Sequence, residues 1–271
     1  MPRRAKPQWL IAGVLAIAFA LVQSASNAAA DKIGIVLMHG ELGAPGRIID
    51  GLGARLERAG YLVSRPDMCW SARRSYEQEF AACLAVIDSA ILKLRNLGAT
   101  RIVVGGFSLG GAAAIVYGAA HPDLLGVFAL APAHDAQALA NVSSMRESVA
   151  HAQSLIAQGK GDEPASFADL AIGPSGAYAN EIATTPRIYL SFFGAASTVN
   201  ISRAIVALKL PLLWAASSDD PTQADGAEVF AEARLNTLSR YVKVSASHLT
   251  TPDAAGDALL AWLAELAKKA K

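Results

Sequence analysis

Arg101-Ile102-Val103-Val104-Gly105-Gly106-Phe107-Ser108-Leu109-Gly110-Gly111-Ala112-Ala113-Ala114 is the stretch that decides how this chain folds. Its centre, Ile102-Val103-Val104, is wholly apolar, the pattern of a strand covered on both faces in a parallel sheet. Small residues after Gly110 open a helix. Between them Gly106-Phe107-Ser108-Leu109-Gly110 spells G-x-S-x-G in a strand–turn–helix setting. Such a turn forces the serine into strained backbone angles. It lifts the hydroxyl above the sheet at the positive end of a helix, and only glycine at both flanks avoids collision. Ser108 is therefore the candidate nucleophile.

Similar apolar runs lie on both sides. Ile33–Met38 precedes the central strand, as does Tyr61–Ser64; Leu124–Leu130, Leu210–Ala216 and Tyr241–Val244 follow it. Helix-period faces separate them: Ile48, Leu52 and Leu56; Phe80, Leu84, Ile87, Ile91 and Leu94; and Leu259, Trp262, Leu263 and Leu266. Strands alternating with helices predict an α/β fold, a doubly wound, mostly parallel sheet of about six strands. Residues 134–209 interrupt the alternation with helical pieces, such as Ser143–Gln158, and no clear strand. Gly159–Pro164 and Gly173–Gly176 are loop punctuation. We expect a helical lid inserted over the sheet, within one domain spanning 31–271.

A serine hydroxyl needs a base near neutral pH. In this strand order the nucleophile precedes the acid and the acid precedes the histidine. Of the five histidines, only His248 follows the last strand, in a loop at the carboxyl edge of the sheet. His39 closes the first strand and reads as structural. The acid belongs after the penultimate strand, in Ser217-Ser218-Asp219-Asp220-Pro221. Asp220, just before the proline, is favoured; Asp219 and Asp135 are the alternates. A carboxylate there accepts from His248 Nδ1–H and stabilises the imidazolium. His39-Gly40-Glu41 follows the first strand, where a backbone amide is needed for the oxyanion. The amides of Glu41 and Leu109 are the expected donors. The Glu41 carboxylate would repel an oxyanion, so we expect it to point outward.

The N-terminus has three zones: basic Met1–Lys6, apolar Leu10–Val22, and small residues ending Asn27-Ala28-Ala29-Ala30. This is the layout of a secretory signal peptide over 1–30, cleaved after Ala30. The apolar zone is shorter than the roughly 20 residues that span a bilayer comfortably. We therefore expect an exported, periplasmic or secreted protein with no stable membrane anchor after cleavage. The formal charge of +1 includes Arg3, Arg4 and Lys6, and residues 1–30 hold no acid, so the mature chain is slightly acidic. That argues against a nucleic-acid partner. A hydrophobic fraction of 53 % against 17 % charged excludes a disordered chain or a coiled coil. No His, Cys or carboxylate cluster has metal spacing and no phosphate-binding glycine pattern appears, so neither metal nor other cofactor is expected. Cys69 and Cys83, the only cysteines, suit a disulfide in an oxidising compartment. Cys83 equally suits a buried free thiol on the apolar helix face.

His39-Gly40, Gly106–Gly110, Asp219-Asp220-Pro221 and His248, in that order, resemble an α/β-hydrolase over essentially the whole mature chain, a compact serine hydrolase similar to esterases and dienelactone hydrolases. The resemblance implies a Ser108–Asp220–His248 triad, a two-amide oxyanion hole and a variable lid. The chain starts at what would be the family's third strand. The family implies acyl transfer on a small-molecule ester. The same triad also serves thioesterases and peptidases, and some scaffolds of this kind only bind. Ile182, Ile188, Tyr189, Leu190, Phe192, Phe193 and Ile201 either wall a pocket for a small or medium acyl group or simply pack the lid.

Overall fold

The computed structural model describes residues 32–173, 176–220, 226–233 and 236–269. The expected signal peptide lies outside them. The first half runs β1 (Ile33–Met38), α1 (Asp50–Arg58), β2 (Leu62–Ser64), α2 (Phe80–Cys83), α3 (Ala85–Asn96), β3 (Arg101–Phe107), α4 (Leu109–Ala120) and β4 (Gly126–Leu130). An insertion follows: α5 (Ala136–Leu139), α6 (Ser143–Ala157), β5 (Ala165–Gly173), β6 (Gly176–Thr184), α7 (Pro186–Phe193) and α8 (Ile201–Ala207). The chain returns through β7 (Leu212–Ser217), α9 (Gly226–Ala231), β8 (Arg240–Val244), α10 (Thr251–Ala254) and α11 (Gly256–Lys269). Among the described residues no helix is long and apolar enough to cross a membrane.

Six strands form one sheet in the order β2-β1-β3-β4-β7-β8, with every neighbouring pair parallel. All six residues of β1 and all five of β4 are buried, as both-face coverage requires. Alternate side chains feed two cores. Val36, Met38, Val104 and Ala129 face α3, α4 and α7. Ile35, Leu37, Val103 and Phe128 face α1 and α11, where Leu52, Leu56, Leu259 and Trp262 cover them. Each large apolar side chain so buried contributes roughly 1.5–3 kcal/mol. The Trp262 indole N–H donates to the Leu238 carbonyl at 2.7 Å, so its one polar group is satisfied.

The insertion is not purely helical, and the expectation of a helical lid needs correction. β5 and β6 pair antiparallel from Ala165↔Thr184 to Gly173↔Gly176. The alternation was hard to read because Asp169 occupies an inward position between Phe167 and Ala171. The insertion is tied to the sheet through α7. Phe167 stacks on Tyr189 at 4.5 Å and Tyr189 on Phe193 at 4.6 Å, while Phe192 meets Tyr76 edge-on at 4.8 Å. The Tyr189 hydroxyl donates to the Ala168 carbonyl at 2.8 Å, joining α7 to β5.

Cys69 and Cys83 are bonded, with Cα atoms 5.7 Å apart. The bridge closes the segment between β2 and α2, and this segment holds the loop after β1. The Met68 N–H donates to His39 Nε2 and the Trp70 indole N–H to the His39 carbonyl, both at 3.1 Å. The Leu42 N–H donates to the Trp70 carbonyl at 2.9 Å, and the Ala72 N–H to the Gly43 carbonyl at 3.1 Å. His39 is structural, as expected. Its Nδ1 donates to the Gly40 carbonyl at 2.7 Å while Nε2 accepts, an assignment made from the bonding pattern. Burial lowers it from its ordinary value, which favours the neutral ring.

Candidate active site

Ser108 stands between β3 and α4 with φ 54° and ψ −122°, a left-handed conformation that costs of order 1–3 kcal/mol for a residue with a side chain. The turn is crowded enough to require its glycines. A Cβ on Gly106 would lie 2.6 Å from the Gly110 carbonyl carbon, and one on Gly110 would lie 2.6 Å from the His39 carbonyl oxygen. The serine is fixed by its N–H donating to the Leu130 carbonyl at 2.9 Å. Its carbonyl accepts from Gly111 at 2.9 Å and from Ala112 at 3.1 Å, which starts the helix.

Three of the side chains singled out in the sequence meet here. His248 Nε2 lies 3.0 Å from Ser108 Oγ, and His248 Nδ1 lies 2.5 Å from Asp220 Oδ2. All three residues are buried, at 8 %, 5 % and 6 % exposure for Ser108, His248 and Asp220. With Nδ1–H donating to Asp220, Nε2 is left to accept the serine proton. His248 sits on a single 3-10 turn, His248–Thr250, capped by reciprocal Ser247 and Thr250 bonds. Its ring packs on Phe107 with centroids 4.9 Å apart. Asp220 ends the turn after β7, where the Ser218 N–H donates to the Val244 carbonyl at 2.9 Å and ties this turn to β8.

The two alternate acids are elsewhere. Asp219 is exposed and accepts from the Ser218 hydroxyl at 2.7 Å. Asp135 caps helices: Oδ1 accepts from the N–H groups of Gln137 at 2.9 Å and Ala138 at 3.2 Å, and Oδ2 accepts from Ile201 N–H at 2.8 Å.

The loop after β1 passes directly over the serine. A Cβ on Gly40 would stand 3.0 Å from Ser108 Cβ, so a larger residue here would crowd the serine. Within that loop the Leu42 N–H is taken by Trp70 and the Gly43 N–H by the Gly40 carbonyl at 3.1 Å. The N–H groups of Glu41 and Leu109 donate to no acceptor among the described residues.

The Glu41 side chain corrects the expectation that it points outward. Oε1 lies 3.2 Å from His134 Nδ1, and the two side chains are 13 % and 3 % exposed. His134 has φ +72° and its ring tilts against Phe193 at 4.5 Å. Burial alone would lower the imidazole, but the Glu41 carboxylate beside it and Asp169 further off outweigh that and hold it above its ordinary value. Asp169 itself is pushed up to about 7, by burial first and then by the Glu41 carboxylate. Nothing in the local sequence pairs residues 41 and 134; a histidine just after a strand at the carboxyl edge of the sheet was the only available signal.

Ser108 and His248 open onto a cavity of about 950 Å³. Its walls come from the loop after β1, from the hairpin through Leu170, Ile172 and Tyr178, and from Ile201, Trp214 and Val229. Of the seven apolar insertion residues considered in the sequence, only Ile201 lines it. Ile182, Tyr189, Phe192 and Phe193 are buried in the core beneath. Among the described residues no group of His, Cys, Asp and Glu could hold a metal ion.

No family model matches the sequence, and no curated protein is detectably similar to it. Solved structures are similar in fold. A monoacylglycerol lipase from Paleococcus ferrophilus superposes with a TM-score of 0.63 at 21 % identity, covering 86 % of this chain and 94 % of that one. An alpha/beta hydrolase from Penicillium sp. sh18 gives 0.62 at 12 %, covering 88 % and 90 %. A proline iminopeptidase from Mycobacterium smegmatis gives 0.55 at 14 %, covering 88 % and 91 %. These proteins are named for different reactions, and what this chain shares with them is the framework: it has the α/β-hydrolase fold.

Proposed function

We propose that the protein is an exported serine hydrolase that cleaves a carboxylic ester of a small or medium acyl substrate. The observation that carries the reading is the hydrogen-bonded chain Ser108–His248–Asp220, raised on a strained turn at the floor of a cavity. Ser108 Oγ attacks the ester carbonyl as His248 Nε2 takes its proton. Asp220 holds the imidazole in the tautomer that can accept, then stabilises the imidazolium. The tetrahedral oxyanion is bound by the N–H groups of Glu41 and Leu109. His248 returns the proton to the alcohol as the carbon–oxygen bond breaks, leaving an acyl-enzyme. Water, deprotonated by the same histidine, then releases the acid.

The resemblance in fold to a protein named as a monoacylglycerol lipase supports ester chemistry, and the apolar hairpin side chains lining the cavity support an acyl substrate. Export rests on the three N-terminal zones; the first residue of protein recovered from the cell envelope should be Asp31. Ser108→Ala should abolish hydrolysis of short p-nitrophenyl esters and labelling by a fluorophosphonate probe, with the circular dichroism spectrum unchanged. Turnover or labelling that survives this substitution would remove Ser108 as nucleophile. A panel of esters, thioesters and amides then ranks the leaving groups.

A further inference from the structure

We propose that the Glu41 side chain is a positioning group for acyl transfer: paired with His134, it holds in place the oxyanion-binding N–H of its own residue. The inference rests on the serine-hydrolase reading above.

Two features of the loop after β1 set the problem. It must bring one N–H beside Ser108, and Gly40 lets it approach to a distance at which a Cβ would crowd Ser108. The loop carries glycines at 40 and 43 and Leu42 is left-handed at φ +47°, so its course depends on the contacts that hold it. From the outer side the loop is held by Trp70 and Ala72. From the cavity side the contact on Glu41 is the 3.2 Å approach to His134.

That pair is a poor choice for stability alone, because burying two charges costs about as much as their attraction returns. It makes physical sense as a register device. The His134 ring packs against Phe193 at 4.5 Å and meets Phe192 edge-on at 6.3 Å. The Glu41 carboxylate stands within ion-pair distance of this ring, at 3.2 Å. The pairing also answers the electrostatic problem raised by the sequence. An unpaired carboxylate near the forming oxyanion would oppose it, whereas the His134 ring 3.2 Å away holds the carboxylate on the side of His134. The remaining nearby acid is Asp169, which burial keeps from ionising fully at neutral pH.

The test uses purified protein, with competent sites counted by stoichiometric fluorophosphonate labelling. Per labelled site, Glu41→Ala should lower kcat on p-nitrophenyl acetate by about 10²-fold, the scale of losing or misplacing one oxyanion donor, and leave KM within about twofold. A trifluoromethyl ketone, which forms an oxyanion on the serine, should lose affinity by a similar factor. Glu41→Gln, which keeps the length and shape of the side chain and can place an acceptor oxygen beside His134 Nδ1, should recover the activity to within about fivefold of wild type. If Glu41→Ala does not fold, His134→Asn reads the same step, because asparagine tolerates the left-handed backbone at 134; it too should lower kcat rather than raise KM. The proposal fails if kcat per labelled site is unchanged, if the loss lies in KM alone, or if Gln is as damaging as Ala. Wild-type protein that is never labelled at Ser108 would instead overturn the hydrolase reading, and this inference with it.

Discussion

The main sheet and the β5–β6 hairpin are both built from strands, but they bury different things. β1 and β4 are covered at every position, so they are apolar throughout. β5 is covered on one face, and that face includes a carboxylate, Asp169, between Phe167 and Ala171. The contrast extends to the site. The loops at the carboxyl ends of the sheet strands carry Ser108, Asp220 and His248, and their geometry is set by a rigid parallel framework. The hairpin supplies Leu170, Ile172 and Tyr178, which wall the cavity. The difference implies a division of labour: changes on the sheet side should act on kcat, and changes on the hairpin side should act on stability or KM.

The largest effect should come from the sheet side. Asp220→Asn places an amide where His248 Nδ1–H needs an acceptor, which disfavours the useful tautomer and should cost about 10³–10⁴-fold in kcat. Asp219→Asn, at an exposed position, should cost less than about twofold. Steady-state kinetics on one ester decides between them, and the reverse ranking would move the acid role to Asp219.

The next effect tests what holds the loop over the serine. Replacing both Cys69 and Cys83 by alanine removes a cross-link across a sequence separation of 14, which is worth roughly 3 kcal/mol in the chain-entropy picture. Thermal unfolding should shift down by on the order of 10 °C. Because the bridged segment carries Trp70, kcat measured well below the new Tm should also fall; an unaltered kcat would separate this segment from the site.

Asp169 sharpens the hairpin side. Its folded value of about 7 is raised from an ordinary 3.8. The stabilisation from binding this proton is complete below the unfolded value and is lost as pH rises from about 4 to about 7. Asp169→Asn escapes that loss, so its Tm advantage over wild type should widen across this window, by on the order of 10 °C, and stay flat above it. A gap independent of pH would show that the carboxyl is not held above its usual range.

The smallest effect belongs to the cavity rim. Tyr178 and Ile48 line the cavity and are 52 % and 39 % exposed. Tyr178→Ala should raise KM for an octanoyl ester a few-fold and leave acetyl-ester kinetics unaltered. A kcat effect as large as that of Asp220→Asn would erase the division between the two regions.

Much of this was legible from residue order alone. An apolar run such as Ile102–Val104 has one low-energy fate in a chain of this composition, and G-x-S-x-G after it requires a turn that lifts Ser108. His248 was identifiable because it alone among the histidines follows the last strand. Asp220 was favoured over Asp219 by its place before Pro221. Local chemistry dictated these features, and the chain carries local chemistry in order. The hairpin, the inward turn of Glu41 and the Cys69–Cys83 pairing were decided only in three dimensions. Each depends on a partner far along the chain: β5 on β6 across a turn, Glu41 on His134, and a thiol on a thiol brought close by the β2–α2 segment. A buried charge declares itself only when its counter-charge arrives, so residue 41 alone could suggest repulsion from an oxyanion but not the imidazole that relieves it.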